Sequence, residues 1–150
     1  MQKVFKAGEE LFFDVLLICL MSFIYFEFIP VNNIMILVGI IFSVLYFSVN
    51  IYIGYKYKLN ISDSLMVGVI GCGVGIFLSI FSIFSQIILH SSNMALWILK
   101  PYFIPIMSLI NLFINNIGLS DIFILILINI LLVPFGSIIK NFMNKLSHKN

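Results

Sequence analysis

The 150-residue sequence contains no arginine, and its basic side chains other than histidine are all lysine. Charged residues make up only 9% of the chain, whereas hydrophobic residues make up 62%. Soluble domains carry about one quarter charged residues, so this composition excludes an ordinary water-soluble fold and predicts a protein whose solvent is lipid. No stretch is long or polar enough for a separate soluble domain. We therefore expect residues 1–150 to form a single integral membrane domain.

Alanine is also scarce, since it occurs only at Ala7 and Ala95, while isoleucine, phenylalanine and asparagine are abundant. This bias follows AT-rich codons. It indicates a gene of a low-GC bacterium or one acquired horizontally, and it carries no information about mechanism.

Residues that build enzyme or metal sites are few and scattered. His90 and His148 fall on opposite sides of the membrane in the topology below, and Cys19 and Cys72 both lie within apolar runs. Metal sites need clustered ligands, and a nucleophile needs a histidine at its own depth. We expect no catalytic, cofactor or metal site. Without a basic domain, we expect no nucleic-acid partner either.

Four long apolar runs are separated by short polar connectors. A helix rises about 1.5 Å per residue, so a hydrocarbon core about 30 Å thick takes about 20 residues to cross. The runs at 11–29, 34–53, 64–89 and 122–139 suit that length. The first is followed by bulky residues instead of a cleavage site and is predicted to be a retained signal anchor. The sequence therefore predicts an all-α, polytopic transmembrane helical bundle with four spanning helices.

The distribution of lysines predicts the orientation of this bundle in the membrane, because short cytoplasmic loops are enriched in lysine and arginine. With four spans and both termini in the cytoplasm, only Lys100 lies on the far side. The seven cytoplasmic lysines are then Lys3, Lys6, Lys56, Lys58, Lys140, Lys145 and Lys149. We expect a multi-pass protein of the inner (cytoplasmic) membrane, with a basic connector after the second span and a basic cytoplasmic tail at 140–150.

A fifth apolar segment, residues 94–117, is interrupted by Pro101 and Pro105. Proline removes a helical hydrogen bond, and irregular backbone at membrane depth needs protein or water to satisfy it. Trp97 and Tyr102 suit a membrane interface. We predict a proline-broken re-entrant or interfacial segment. The alternative is a fifth span, which would place the basic tail on the far side and nearly abolish the lysine bias.

The third run carries small and weakly polar residues at helical spacing. Steps of four, three, four, three and four place six of them on one face of a continuous helix, with Gly71 beside them; the six are Gly68, Cys72, Gly75, Ser79, Ser82 and Gln86. Small residues let helix backbones approach closely in lipid. The pattern predicts a helix-packing seam, either within the chain or between copies. A water-lined pathway is a third interpretation.

Four polar residues fall within apolar segments: Asp14, Glu27, Lys100 and Asn129. Such groups are costly in a bilayer and are candidates for function. The topology places Glu27 and Lys100 at the same level, so we predict an ion pair that docks the 94–117 segment onto the first span. Glu27 could instead reach the lipid headgroups. Asn129 is predicted to hydrogen-bond another helix, with a ligand or ion contact as the alternative.

These observations favour a non-enzymatic membrane subunit that acts by association. We predict a membrane anchor or sensor for a partner protein, such as an accessory of a bacterial toxin, immunity or antiviral (phage-defence) system. The partner would bind the cytoplasmic face through lysines of the connector and tail, namely Lys56, Lys58, Lys140, Lys145 and Lys149. The alternatives are a homo-oligomeric pore or channel-like protein and a small transporter subunit that uses Glu27, Lys100 and Asn129.

Overall fold

The computed structural model describes residues 1–28, 33–90, 92–110 and 119–147, which are helical apart from short connectors. Within these ranges there is no strand, and the predicted all-α fold is confirmed. Six helices follow one another along the described chain: α1 (Gln2–Phe28), α2 (Asn33–Tyr57), α3 (Ile61–Gly71), α4 (Gly73–Ile88), α5 (Ser92–Ile110) and α6 (Leu119–Ser147).

Three of these helices, α1, α2 and α6, are long and apolar enough to cross a membrane. The pair formed by α3 and α4 meets the same criteria together, so the count becomes four if the pair is one span. This agrees with the predicted bundle. The helices nevertheless extend beyond the apolar runs, because α1 begins at Gln2 and α6 continues to Ser147. The predicted basic tail is thus the last part of α6 as far as Ser147, and Lys149 lies outside the described residues.

The third predicted span is not one straight helix, which corrects the prediction of a single continuous face over 64–89. The chain bends by 58° between α3 and α4, and Cys72 at the break leaves helical geometry, with φ −82° and ψ 6°. Packing on both sides of the break accounts for the bend. A Cβ atom at Gly71 would lie 2.4 Å from the Leu11 side chain of α1, and one at Gly75 would lie 2.3 Å from the Tyr102 ring of α5. At the break, α3 is therefore packed against α1, whereas α4 is packed against α5.

Helix α5 continues through Pro101 and Pro105 without interruption, so the described part of the 94–117 segment is one helix and is not broken by its prolines. Residues 111–117 lie outside the described ranges. The helix packs on α4, α2 and α1. The Ser43 hydroxyl of α2 donates to the Pro105 carbonyl at 2.6 Å, which ties α2 to α5. Tertiary contacts thus surround a helix that its sequence disfavours.

The helices arrange the described charges at two ends of the bundle. Helix α1 runs antiparallel to α2, since Glu10 contacts Lys56 and Tyr25 contacts Phe42. Six of the described lysines gather at what we name the basic end: Lys3, Lys6, Lys56, Lys58, Lys140 and Lys145. The opposite end, the Lys100 end, holds Lys100 together with Glu27.

Candidate functional site

Polar side chains meet in the middle of the bundle, in what we name the central polar cluster: Tyr46 and Asn50 of α2, Tyr102 of α5 and Asn129 of α6. All four are at most 2% exposed. The Asn50 amide donates to the Tyr46 carbonyl at 2.7 Å, and the Asn129 amide reaches the Tyr46 hydroxyl at 3.5 Å. The rings of Tyr46 and Tyr102 pack edge to face, with centroids 6.1 Å apart. The cluster therefore joins three helices.

Three oxygen atoms of the central polar cluster are buried without a hydrogen-bond partner: Asn50 Oδ1, Asn129 Oδ1 and the Tyr102 hydroxyl. Leaving such a group unpaired costs about 1–3 kcal/mol. The polar groups of the cluster are two phenols and two amides, which can donate and accept hydrogen bonds. For Asn129, the contact with Tyr46 corresponds to the predicted bond to another helix, while its carbonyl oxygen remains available.

The small residues of the third run contact three different helices of the same chain. Gly68 faces the backbone of Ile130 in α6, Gly71 faces Leu11 in α1, and Gly75 faces the Tyr102 ring in α5. The pattern contains one intramolecular seam on each side of the break at Cys72, which is itself buried.

The serines beyond the break continue the contact between α4 and α5. The Ser82 hydroxyl donates to the Ala95 carbonyl at 2.8 Å, whereas the Ser79 hydroxyl donates within its own helix, to the Gly75 carbonyl at 2.7 Å. Gln86 is exposed and stands outside the seam. Ser85, which the spacing did not select, is buried with its hydroxyl unpaired.

The predicted ion pair between Glu27 and Lys100 is present and is confirmed. The Lys100 ammonium donates to a Glu27 carboxylate oxygen, and both side chains are 41% exposed. The pair ties α5 to the end of α1. Asp14 lies one turn beyond Glu10 on α1 and is half-buried.

The basic end carries three polar contacts that we did not predict. Lys56 donates to Glu10, whose second oxygen accepts from the Tyr57 hydroxyl at 2.5 Å. Lys140 donates to the Tyr55 hydroxyl at 3.0 Å. The sequence did contain a signal for the contact between Glu10 and Lys56. Glu10 immediately precedes the first apolar run and Lys56 follows the second, so the two residues fall at the same end of a helical hairpin.

Of the lysines predicted to contact a partner, Lys56 and Lys140 make these contacts within the chain. Lys58 and Lys145 are exposed, as are Lys3 and Lys6 at the same end. Five lysines of the described chain are therefore exposed at the basic end, and one of them, Lys56, is paired with Glu10.

Among the described glycines, the closest approaches to another helix join α2 to α6, and sequence reasoning missed this contact. A Cβ atom at Gly54 would lie 2.0 Å from the Val133 carbonyl oxygen, and one at Gly136 would lie 2.0 Å from the Ile51 carbonyl oxygen. The Ser137 hydroxyl donates to the Gly54 carbonyl at 3.0 Å. The available signal was Gly54 just after the second run and Gly136 in the fourth, and it does not specify a pairing because the second run also contains Gly39.

Within the residues that the structure describes, no group of three or more histidine, cysteine, aspartate or glutamate side chains could hold a metal ion. The fold and its polar contacts define a bundle of strongly apolar helices, three or four of which are long enough to cross a membrane. No known protein family, curated protein or solved structure matches the chain.

Proposed function

We propose that this chain is a non-enzymatic integral membrane subunit that acts by association, as an anchor or sensor for a partner protein at its basic end. Both termini lie in the cytoplasm, and the membrane is the inner (cell) membrane of a bacterium. An accessory role in a toxin, immunity or phage-defence system fits such a subunit. The observation that carries the proposal is the gathering of lysines at one end of the bundle, with only Lys100 at the other among the described lysines.

The contacts at the basic end support this assignment. The bonds of Lys56 to Glu10 and of Lys140 to Tyr55 fix the ends of α1, α2 and α6 relative to one another. Lys58 and Lys145 are exposed next to this rigid framework. A preorganised set of charges binds a complementary acidic surface at a smaller entropic cost than a flexible set does.

The homo-oligomeric pore has less support than the anchor. Its sequence argument was the small-residue face of the third run, and the glycines of that face contact α1, α5 and α6 of the same chain. A homo-oligomeric pore would therefore need a different surface of the chain to line the pore axis.

Affinity purification in a mild detergent tests the proposal, after the chain has been shown to resist alkaline extraction from membranes. The variant Lys58→Gln with Lys145→Gln lowers the net charge by two at the basic end. The variant Gln86→Glu with Asn93→Asp, at exposed positions away from that end, lowers it by the same amount. We expect a soluble protein to co-purify stoichiometrically with the wild type and with the second variant.

The first variant should lose that protein while remaining in the membrane fraction. Recovery that is equal for both variants, or a wild type that binds no soluble protein, would contradict the anchor. Extraction of the wild type at alkaline pH would contradict the membrane placement itself.

A further inference from the structure

An open space separates α6 from the hairpin formed by α4 and α5, and we name it the hairpin cleft. One cavity of about 250 Å³ lies between α4 and α6, where Phe123, Ile126, Leu127 and Ile130 form the α6 wall. A second cavity of about 240 Å³ lies against α5 and reaches Ile122. The two cavities share no lining residue, and they adjoin at α6, where Ile122 lines the second and the next residue, Phe123, lines the first.

The bend at Cys72 produces this cleft. Helix α3 packs against α6, but after the 58° turn α4 and α5 contact α6 little. The hairpin itself is closed by the Ser82 bond to Ala95 and by the fit of Tyr102 against Gly75. The hairpin therefore stands away from α6 as a unit, and the space between them is a feature of the packing.

The two halves of the cleft differ in chemistry. Isoleucine, leucine and phenylalanine side chains line the α4 half, whose one serine, Ser79, donates to its own helix. The α5 half adds Asn93, Trp97 and Lys100 to an apolar floor. An amide, an indole N–H and an ammonium are all hydrogen-bond donors. A molecule that matches both halves has an apolar chain and a head rich in acceptors.

The length of the cleft matches one leaflet of a bilayer. From Ile122 to Ile130 a helix rises about 12 Å, and half of a hydrocarbon core is about 15 Å thick. The donors lie at the Lys100 end, where tryptophan and lysine suit the interface. The apolar half runs from there toward the middle of the bundle.

On these grounds, and resting on the membrane placement proposed above, we infer that the hairpin cleft binds one zwitterionic phospholipid from the leaflet at the Lys100 end. The acyl chain lies between α4 and α6, and the phosphate accepts a hydrogen bond from Lys100, whose ammonium also donates to Glu27. The charges of the described residues at this end select the headgroup. Lys100 is the single lysine there, whereas Glu27 and Asp121 are both acidic, so a headgroup that also carries an ammonium is favoured over a purely anionic one.

Native mass spectrometry of the purified chain with equal amounts of phosphatidylethanolamine and phosphatidylglycerol tests this inference. We expect one phosphatidylethanolamine to be retained per chain, with a preference of about tenfold, equivalent to about 1.4 kcal/mol. Leu127→Trp fills the cleft, and Ile128→Trp adds the same bulk at an exposed position that does not line it. The first variant should lose the lipid and the second should keep it.

Replacement of the headgroup contact is tested by Lys100→Gln, which should weaken the retention of both lipids because the phosphate loses its ammonium partner, whereas the preference for phosphatidylethanolamine should remain because Glu27 and Asp121 are unchanged. Equal retention of both lipids by the wild type, or equal binding by the two tryptophan variants, would overturn the inference. Crosslinked dimers from Leu127→Cys that are absent from Ile128→Cys would place a second copy in the cleft and would also overturn it. Resistance to alkaline extraction reports on the membrane placement separately, so the two failures are distinguishable.

Discussion

The two halves of α6 are packed in opposite ways. Its C-terminal half lies so close to α2 that Gly54 faces the α6 backbone and Gly136 faces the α2 backbone. Its N-terminal half faces the cavities between itself and the α4–α5 hairpin. Ser137 adds a hydrogen bond on the close side, whereas the open side is lined mainly by apolar side chains. The comparison indicates a rigid base at the basic end and an open region toward the Lys100 end.

The largest expected effect comes from breaking the close half. Gly136→Ala places a methyl group 2.0 Å from the Ile51 carbonyl oxygen, and α2 must move away because backbone cannot rotate aside. We expect a loss of about 3 kcal/mol or more, at the upper end of overpacking, and a fall in Tm of about 10 °C. A thiol-reactive fluorescent dye measures this, because Cys19 and Cys72 are buried until the helices separate.

Gly73→Ala is the matched control, since its methyl group would meet only the Phe12 ring at 3.7 Å, an ordinary contact. It should leave the Tm unchanged or raise it slightly, because alanine favours helix. An unaltered Tm for Gly136→Ala would show that the two helices are not in backbone contact.

A smaller effect is expected where the open half is tied to the rest of the bundle. The Glu27–Lys100 pair joins α5 to α1 and is about two-fifths exposed, so we expect Glu27→Lys or Lys100→Glu to destabilise the chain by about 1 kcal/mol. Each single reversal places like charges in contact. The double reversal restores attraction and should recover most of the lost expression and Tm. If both single variants are defective and the double variant is equally defective, loss of the ion pair is not the cause of the defect.

The smallest expected effect lies at the junction between the two regions and has the opposite sign. Tyr102→Phe removes a buried hydroxyl that makes no hydrogen bond of good geometry, although the Tyr46 hydroxyl and the Cys72 thiol lie beside it, and keeps the ring that fills the space beside Gly75. We expect the Tm to rise slightly, corresponding to up to about 1 kcal/mol, since an unpaired buried group no longer loses its hydration. The same dye assay measures it. A clear fall in Tm would mean that the hydroxyl is paired in the protein, through water or a ligand.

The sequence predicted those contacts of the site that depend only on how far along the bundle each residue lies. Glu27 and Lys100 could be paired because a count of residues from the ends of apolar runs puts them at one level. The central polar cluster could not be assembled in this way. Asn129 was recognisable as a mid-span amide, but Tyr46 and Asn50 resemble any residues of an apolar helix until the rotation of α2 about its axis is known.

What the sequence by itself determined is the strongly apolar character of the chain, its helical class, its apolar runs and the uneven distribution of lysines, because these depend on composition and on distance along a helix. Only the tertiary structure decided that the third run bends at Cys72, that α5 continues through its prolines, and that Gly54 and Gly136 lie against the facing backbones of α6 and α2. Each of these depends on which faces of distant helices meet. The seam over 64–89 shows the difference, since regular spacing predicts one face only if the helix is straight, and packing of Leu11 and Tyr102 against neighbouring glycines bends it.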